Sequence, residues 1–196
     1  MYLKSITKDE VNELPLFSFD GKIVTAFSPE QIDQAIDELG KAEIVGFDTE
    51  TRPTFKKGQF HHVALIQLAV SGKAYIFLIQ KSGLTDRLIA FFENPRIKKV
   101  GIAIHDDLIA LKKKRMFSPA GFVDLNKMAE QMGFENIGAR NLTAMVLNKR
   151  ISKSQQRSNW ENIPLTPRQI QYAATDAWIC QEIYHRLQKM DRSGKK

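Results

Sequence analysis

Hydrophobic positions in this chain switch repeatedly between a spacing of about four and unbroken short runs. Ile32, Ile36 and Leu39 line one face of a predicted helix. It opens at Ser28-Pro29-Glu30-Gln31, which supplies an N-cap serine, a proline at the first helical position and a glutamine three residues after the cap. Glu43 to Asp48 then reads as a short strand ending in an acid. Val63–Val70 and Ala74–Leu78, joined through Ser71-Gly72-Lys73, predict an antiparallel hairpin. Leu84 to Phe92 reads as helix, Lys99 to Ala103 as strand, and Asp107 to Lys114 as helix. Phe122 to Leu125 reads as a short strand or turn, and Leu142 to Leu147 as helix. Thr166-Pro167-Arg168-Gln169 repeats the cap signature and opens a long helix to about Met190. Residues 1–27 are expected to form a leader laid over the domain. A hairpin followed by strands separated by helices predicts an α/β domain with a mixed sheet flanked by α-helices.

At 196 residues, 43% hydrophobic and 26% charged, the chain suits one soluble globular domain. No apolar run reaches the roughly 20 residues needed to cross a bilayer, and no apolar signal region opens the chain, so the expected location is cytoplasmic. The single cysteine, Cys180, excludes an internal disulfide and a Cys-based zinc cluster. It reads as a small helix-face residue beside Ile179 and Ile183. The net charge of +7 is compatible with a polyanionic partner, although Lys112 to Arg115 and the 191–196 tail read more simply as solvated termini.

Three segments carry candidate chemistry. In Phe47-Asp48-Thr49-Glu50, strand alternation turns both acids to one side, where they repel unless a cation or protons neutralise them. A solvated turn would also account for this pair. Tyr172 and Asp176 stand four apart on the last helix and share a face. Ala173, Ala174 and Ala177 let that helix approach the sheet closely, although an amphipathic helix with an exposed Asp fits equally. Asp106 and Asp107 open a helix that follows a strand, where one acid can cap and the other reach a site.

In order and context these segments resemble the tyrosine branch of the DEDD 3′→5′ exonucleases, which includes ribonuclease D-like and Werner-syndrome-type domains. The first motif falls on Asp48 and Glu50, the second on Asp107, and the Tyr-x-x-x-Asp third motif on Tyr172 and Asp176. Val63 to Leu68, Ser158-Asn159-Trp160 and Pro164-Leu165-Thr166 extend the similarity over about residues 20–190. The resemblance implies a ribonuclease H-like fold, with an exonuclease domain at 28–190 between the 1–27 leader and the 191–196 basic tail. It also implies two divalent ions, Mg²⁺ or Mn²⁺, bound by Asp48, Glu50, Asp107 and Asp176. Asp48 would bridge both ions, Glu50 and Asp176 would hold the one that activates water, and Asp107 would support the other directly or through a water. Tyr172 would orient the attacking water, since a phenol is protonated near neutral pH.

The expected partner is a nucleic acid, DNA or RNA, with single-stranded or recessed 3′ ends, and no membrane. Thr49, Arg157, Asn159 and Trp160 are candidate substrate contacts: backbone or hydroxyl for Thr49, a cation for phosphate, and an indole for stacking. The competing reading has Trp160 plugging the core and Asn159 holding its loop. His61 and His62 read as surface histidines, His105 is left outside the site, and Asp124 reads as a helix N-cap. A binding module of the same fold without catalysis and a hydrolase of small phosphoesters are the alternatives. The presence of all four acids speaks against the first, and the basic excess favours a polymer over the second.

Overall fold

The computed structural model of the protein describes residues 3–56 and 58–194. The chain order is α1 (Lys8–Glu13), β1 (Lys22–Ala26), α2 (Pro29–Leu39), β2 (Ile44–Thr51), β3 (Val63–Val70), β4 (Lys73–Phe77), α3 (Ile79–Ser82) and α4 (Asp86–Glu93). It continues through β5 (Lys98–Gly101), α5 (His105–Lys114), β6 (Phe122–Asp124), α6 (Leu125–Gln131), α7 (Ala139–Leu147) and α8 (Pro167–Gly194). The six strands form one sheet in the order β1-β4-β3-β2-β5-β6. β2, β3 and β4 are antiparallel neighbours, while β1–β4, β2–β5 and β5–β6 run parallel, giving the mixed sheet expected from the sequence. No helix among the described residues is long and apolar enough to cross a membrane.

Both predicted cap signatures form. Ser28 Oγ accepts from Gln31 N while the Gln31 side chain accepts from Ser28 N. Thr166 and Gln169 make the same reciprocal pair at the start of α8. Each such box satisfies helix-end N–H groups that would otherwise lack partners.

The segment 1–27 is more than a leader. Lys22–Ala26 is an edge strand of the sheet, paired in parallel with Lys73–Phe77. Its β-branched Ile23-Val24-Thr25 core is a strand signal, but its partner lies some fifty residues on, where no local pattern points to it. The helix α8 likewise runs past Met190 to Gly194, into the segment expected to be tail.

α8 is the spine of the molecule. Ala173, Ala174 and Ala177 are fully buried against one face of the sheet, together with Leu65, Ala69, Ala74 and Ile76. α2 and α4 cover the opposite face around Phe47, Ile66, Leu68 and Phe92. Helix and sheet meet most closely at Gly46 of β2. A Cβ placed there would lie 2.0 Å from the carbonyl oxygen of Ala177, so only glycine lets the two backbones approach. Gln181 fastens the same contact by donating to Ile44 O at 3.0 Å.

Gly46→Ala is expected to push α8 off β2 and to destabilise the protein by roughly 1–3 kcal/mol, a loss of several degrees in Tm by calorimetry. An unchanged Tm would show that the helix does not depend on this approach.

Candidate active site

Asp48 and Glu50 alternate with buried Phe47 and Thr49 along β2, so both carboxyls emerge on the face that α8 crosses. Asp176 stands one residue before Ala177, whose carbonyl packs over Gly46, and is thereby delivered to the same place. Oxygen atoms of Asp48, Glu50 and Asp176 can all lie within 4.8 Å of one another, from two elements far apart in the chain.

Gathering three carboxyls in a half-buried site has a clear electrostatic signature. Burial raises the Asp48 carboxyl well above the usual range, and the charges of Asp176 and Asp107 push it further. Glu50 is pushed up to about 10 by burial and then by Asp48, Asp176 and Asp107. Burial lifts Asp176 to about 7, moderated by a hydrogen bond with Tyr172 and the charge of Lys153. Such groups need protons or a cation. A donor set made entirely of carboxylate oxygens suits a hard divalent cation, and no thiol competes because Cys180 is buried with Sγ turned to Asp176 O.

Asp107 stands beside this trio rather than in it. The ladder between β2 and β5 ends at Gly46, and the first turn of α5 fills the space alongside the outer half of β2. There Thr49 Oγ1 donates a short hydrogen bond to Asp107 Oδ1. Burial raises the Asp107 carboxyl, and its charge reaches both Asp48 and Glu50. Asp106 is exposed, so the adjacent acids separate cleanly, and neither caps α5, whose N-cap is Ile104. Asp124 caps α6 as its position suggested, accepting from Asn126 N, and it also accepts from Ala103 N.

Tyr172 lies on the Asp176 face of α8. Its phenol is raised by burial and by the charges of Asp176 and Glu50, so it stays protonated at neutral pH. Trp160 requires a correction: it is fully buried, its ring 5.8 Å from that of Tyr172, and it cannot offer a face to a base. The reason is local packing, since Trp160 fills the space between Leu65, Leu165 and the alanines of α8. Asn159 is also committed, donating to Asn162 Oδ1 and accepting from Glu161 N, and it shapes the loop. The hydroxyl of Thr49 is taken by Asp107. Arg157 stays exposed, its guanidinium 5.2 Å from the centre of the Phe55 ring.

Several residues around the site escape sequence reasoning. Gln67 of β3 is paired with Asp48 across the ladder, fully buried, and without a hydrogen-bond partner for either side-chain atom among the described residues. Its signal is a lone amide in the apolar run Val63–Val70. A cavity of about 430 Å³ opens beside Tyr172 and Asp176, bordered by Phe17, Ser152, Ser154, Arg168 and Gln171. Arg168, in the first turn of α8, is exposed at the edge of this cavity.

A mixed sheet crossed by one helix, with clustered acids where they meet and a protonated phenol beside them, is an arrangement able to hold hard divalent cations. The comparisons make this specific. The sequence profile of the 3′-5′ exonuclease domain matches residues 23–191, and the chain belongs to that family. It is 34% identical over 194 residues to the mouse bifunctional 3′-5′ exonuclease/ATP-dependent helicase WRN, covering 94% of this chain and 14% of that protein. It is 30% identical over 202 residues to an Arabidopsis thaliana 3′-5′ exonuclease, covering 94% of this chain and 70% of that one. Among solved structures, the EXO domain of Aedes aegypti Nibbler superposes with a TM-score of 0.80 at 25% identity, covering 88% of this chain and 91% of that domain. The ribonuclease H-like exonuclease fold expected from the motifs is thus the fold observed.

Because the native state holds protons on these carboxyls that the unfolded chain releases, stability of the metal-free protein is present at low pH. It falls as pH rises from about 4 through 7, the value to which Asp176 is lifted, and on towards 10, the value for Glu50. Mg²⁺ or Mn²⁺ is therefore expected to raise Tm more at pH 8 than at pH 6. Asp48→Asn should raise the metal-free Tm and erase the metal-induced shift. A metal-independent Tm for the unsubstituted protein would show that the trio does not hold a cation.

Proposed function

We propose that the protein removes nucleotides one at a time from the 3′ end of a DNA or RNA strand, using two divalent ions, Mg²⁺ or Mn²⁺. The observation that carries this reading is the meeting of Asp48, Glu50 and Asp176 within 4.8 Å at the crossing of β2 and α8. Asp48, central in that group, would serve both ions, with Glu50 and Asp176 on one and Asp107 on the other. When bound, the pair of ions supplies a hydroxide nucleophile near neutral pH and stabilises charge on the departing oxygen.

The chain's own residues do the rest. Thr49 holds the Asp107 carboxyl in place through its hydroxyl. Tyr172, kept protonated with its hydroxyl hydrogen donated to Asp176, would orient the attacking water through its oxygen rather than remove its proton. Buried Trp160 packs against Tyr172 and limits the positions its ring can take. Arg157 and Arg168 supply cations for backbone phosphates, and the 430 Å³ cavity beside Asp176 has room for a nucleotide. The net charge of +7 favours a polymer over small phosphoesters. Single-stranded or recessed 3′ ends are the substrates of this reading.

A 5′-labelled strand incubated with protein and Mg²⁺ or Mn²⁺ should shorten as a ladder from its 3′ end, and EDTA should stop it. Asp48→Ala should lower kcat by at least about 10³-fold, and Tyr172→Phe by roughly 10²-fold with little change in KM. Binding of the strand without shortening, with metal shown to bind, would replace the exonuclease by a binding module of the same fold.

A further inference from the structure

The loop that leaves β2 after Thr51 carries two large apolar rings out into solvent: Phe55 is 68% exposed and Phe60 is 92% exposed. Single exposed apolar residues are ordinary on protein surfaces. Here, however, two aromatic rings share the loop that follows Glu50 and Thr51, and the formally charged residues of that loop are all basic. Residues 51–62 contain no Asp or Glu. Arg157 lays its guanidinium over Phe55, 5.2 Å from the ring centre, from the loop that precedes α8. Phe60 lines a shallow pocket with His62 and Lys114.

The loop is also held in place. Glu161 accepts from Arg52 Nη1 at 3.0 Å and lies 3.0 Å from His61 Nδ1, so residues at both ends of the loop are tied to one carboxylate. Gln80 donates to the Glu161 backbone carbonyl at 3.3 Å. Glu161, an acid that borders the loop, is thus engaged in bracing it. The rings are left without a protein cover and with cations beside them.

We infer that Phe55 and Phe60, with Arg157, form a stacking platform for the unpaired bases that adjoin the terminal nucleotide of a bound strand. This rests on the exonuclease reading and adds a preference to it. Every base has an apolar face, so aromatic stacking holds a single strand without reading its sequence, while Arg157 and Lys114 meet the phosphates. A base-paired segment keeps its faces inside the duplex and gains nothing from such rings. The platform therefore makes single-stranded ends bind more tightly than blunt ones, and its contribution grows with the number of unpaired nucleotides.

The test uses the full chain and its Phe55→Ser, Phe60→Ser and doubly substituted forms. Binding of a fluorescein-labelled thymidine homopolymer of about 20 nucleotides is read by anisotropy in EDTA, where no cleavage occurs. Hydrolysis of the homopolymer, a dinucleotide and thymidine 5′-p-nitrophenyl phosphate is then measured with Mn²⁺. Each substitution is expected to weaken homopolymer binding by roughly 5–50-fold, and to raise its KM, with the dinucleotide and the ester unaffected. Phe55→Tyr and Phe60→Trp should restore binding. Homopolymer binding unchanged within about twofold, or equal losses on the ester, would overturn the platform. If the unsubstituted protein cleaves none of the three substrates, the exonuclease reading fails by itself, and the EDTA binding comparison still decides the platform.

Discussion

The structure depends on how closely one helix can lie on one strand. At Gly46 the backbone of β2 passes under the carbonyl of Ala177 with no room for a side chain, and the small residues Ala173 and Ala174 extend the same approach along α8. Two residues beyond Gly46 stands Asp48, and one residue before Ala177 stands Asp176. The tight backbone contact is therefore also the ruler that sets the distance between the clustered acids. Packing and chemistry here are one geometric fact.

That arrangement sets charge against burial. Burial raises the proton affinity of Asp48, Glu50 and Asp176 in a half-buried pocket, the charge of Asp176 adds to it at the other two, and Asp107 adds to the field from the α5 side. The fold tolerates this because the surrounding structure is heavily determined: cap boxes at both ends of the sequence, a buried Trp160 behind Tyr172, and the Gln181 bond to Ile44 O. A site of this kind stores unfavourable interactions that a cation relieves, which is what a metal-dependent hydrolase needs from its resting state.

Much of this was legible in the sequence, and the exceptions have physical causes. Caps and hairpin are local signals, so α2, α8, β3 and β4 fall where Ser28, Thr166 and the Val63–Val70 run place them. The acids were legible because strand alternation and helical spacing fix which side chains share a face. β1 was not, since its partner β4 is remote in sequence and the β-branched signal at Ile23-Val24-Thr25 does not say what it pairs with. Trp160 and Asn159 show a different limit. An indole and an amide next to a cleft have the same sequence whether they face the substrate or the core, and only packing separates the two. Gln67 shows the converse: one amide in an apolar strand is conspicuous, but its register opposite Asp48 emerges only once the strands are paired.

The acids come from β2 and from the last helix, so the site has no precursor in any shorter piece of the chain. A nascent polypeptide that has emerged through β6 and α7 contains all six strand segments, yet it carries only two of the three clustered acids. Docking of α8 completes the core and the cage in the same movement. The cluster able to hold a cation is thereby incomplete until α8 is in place.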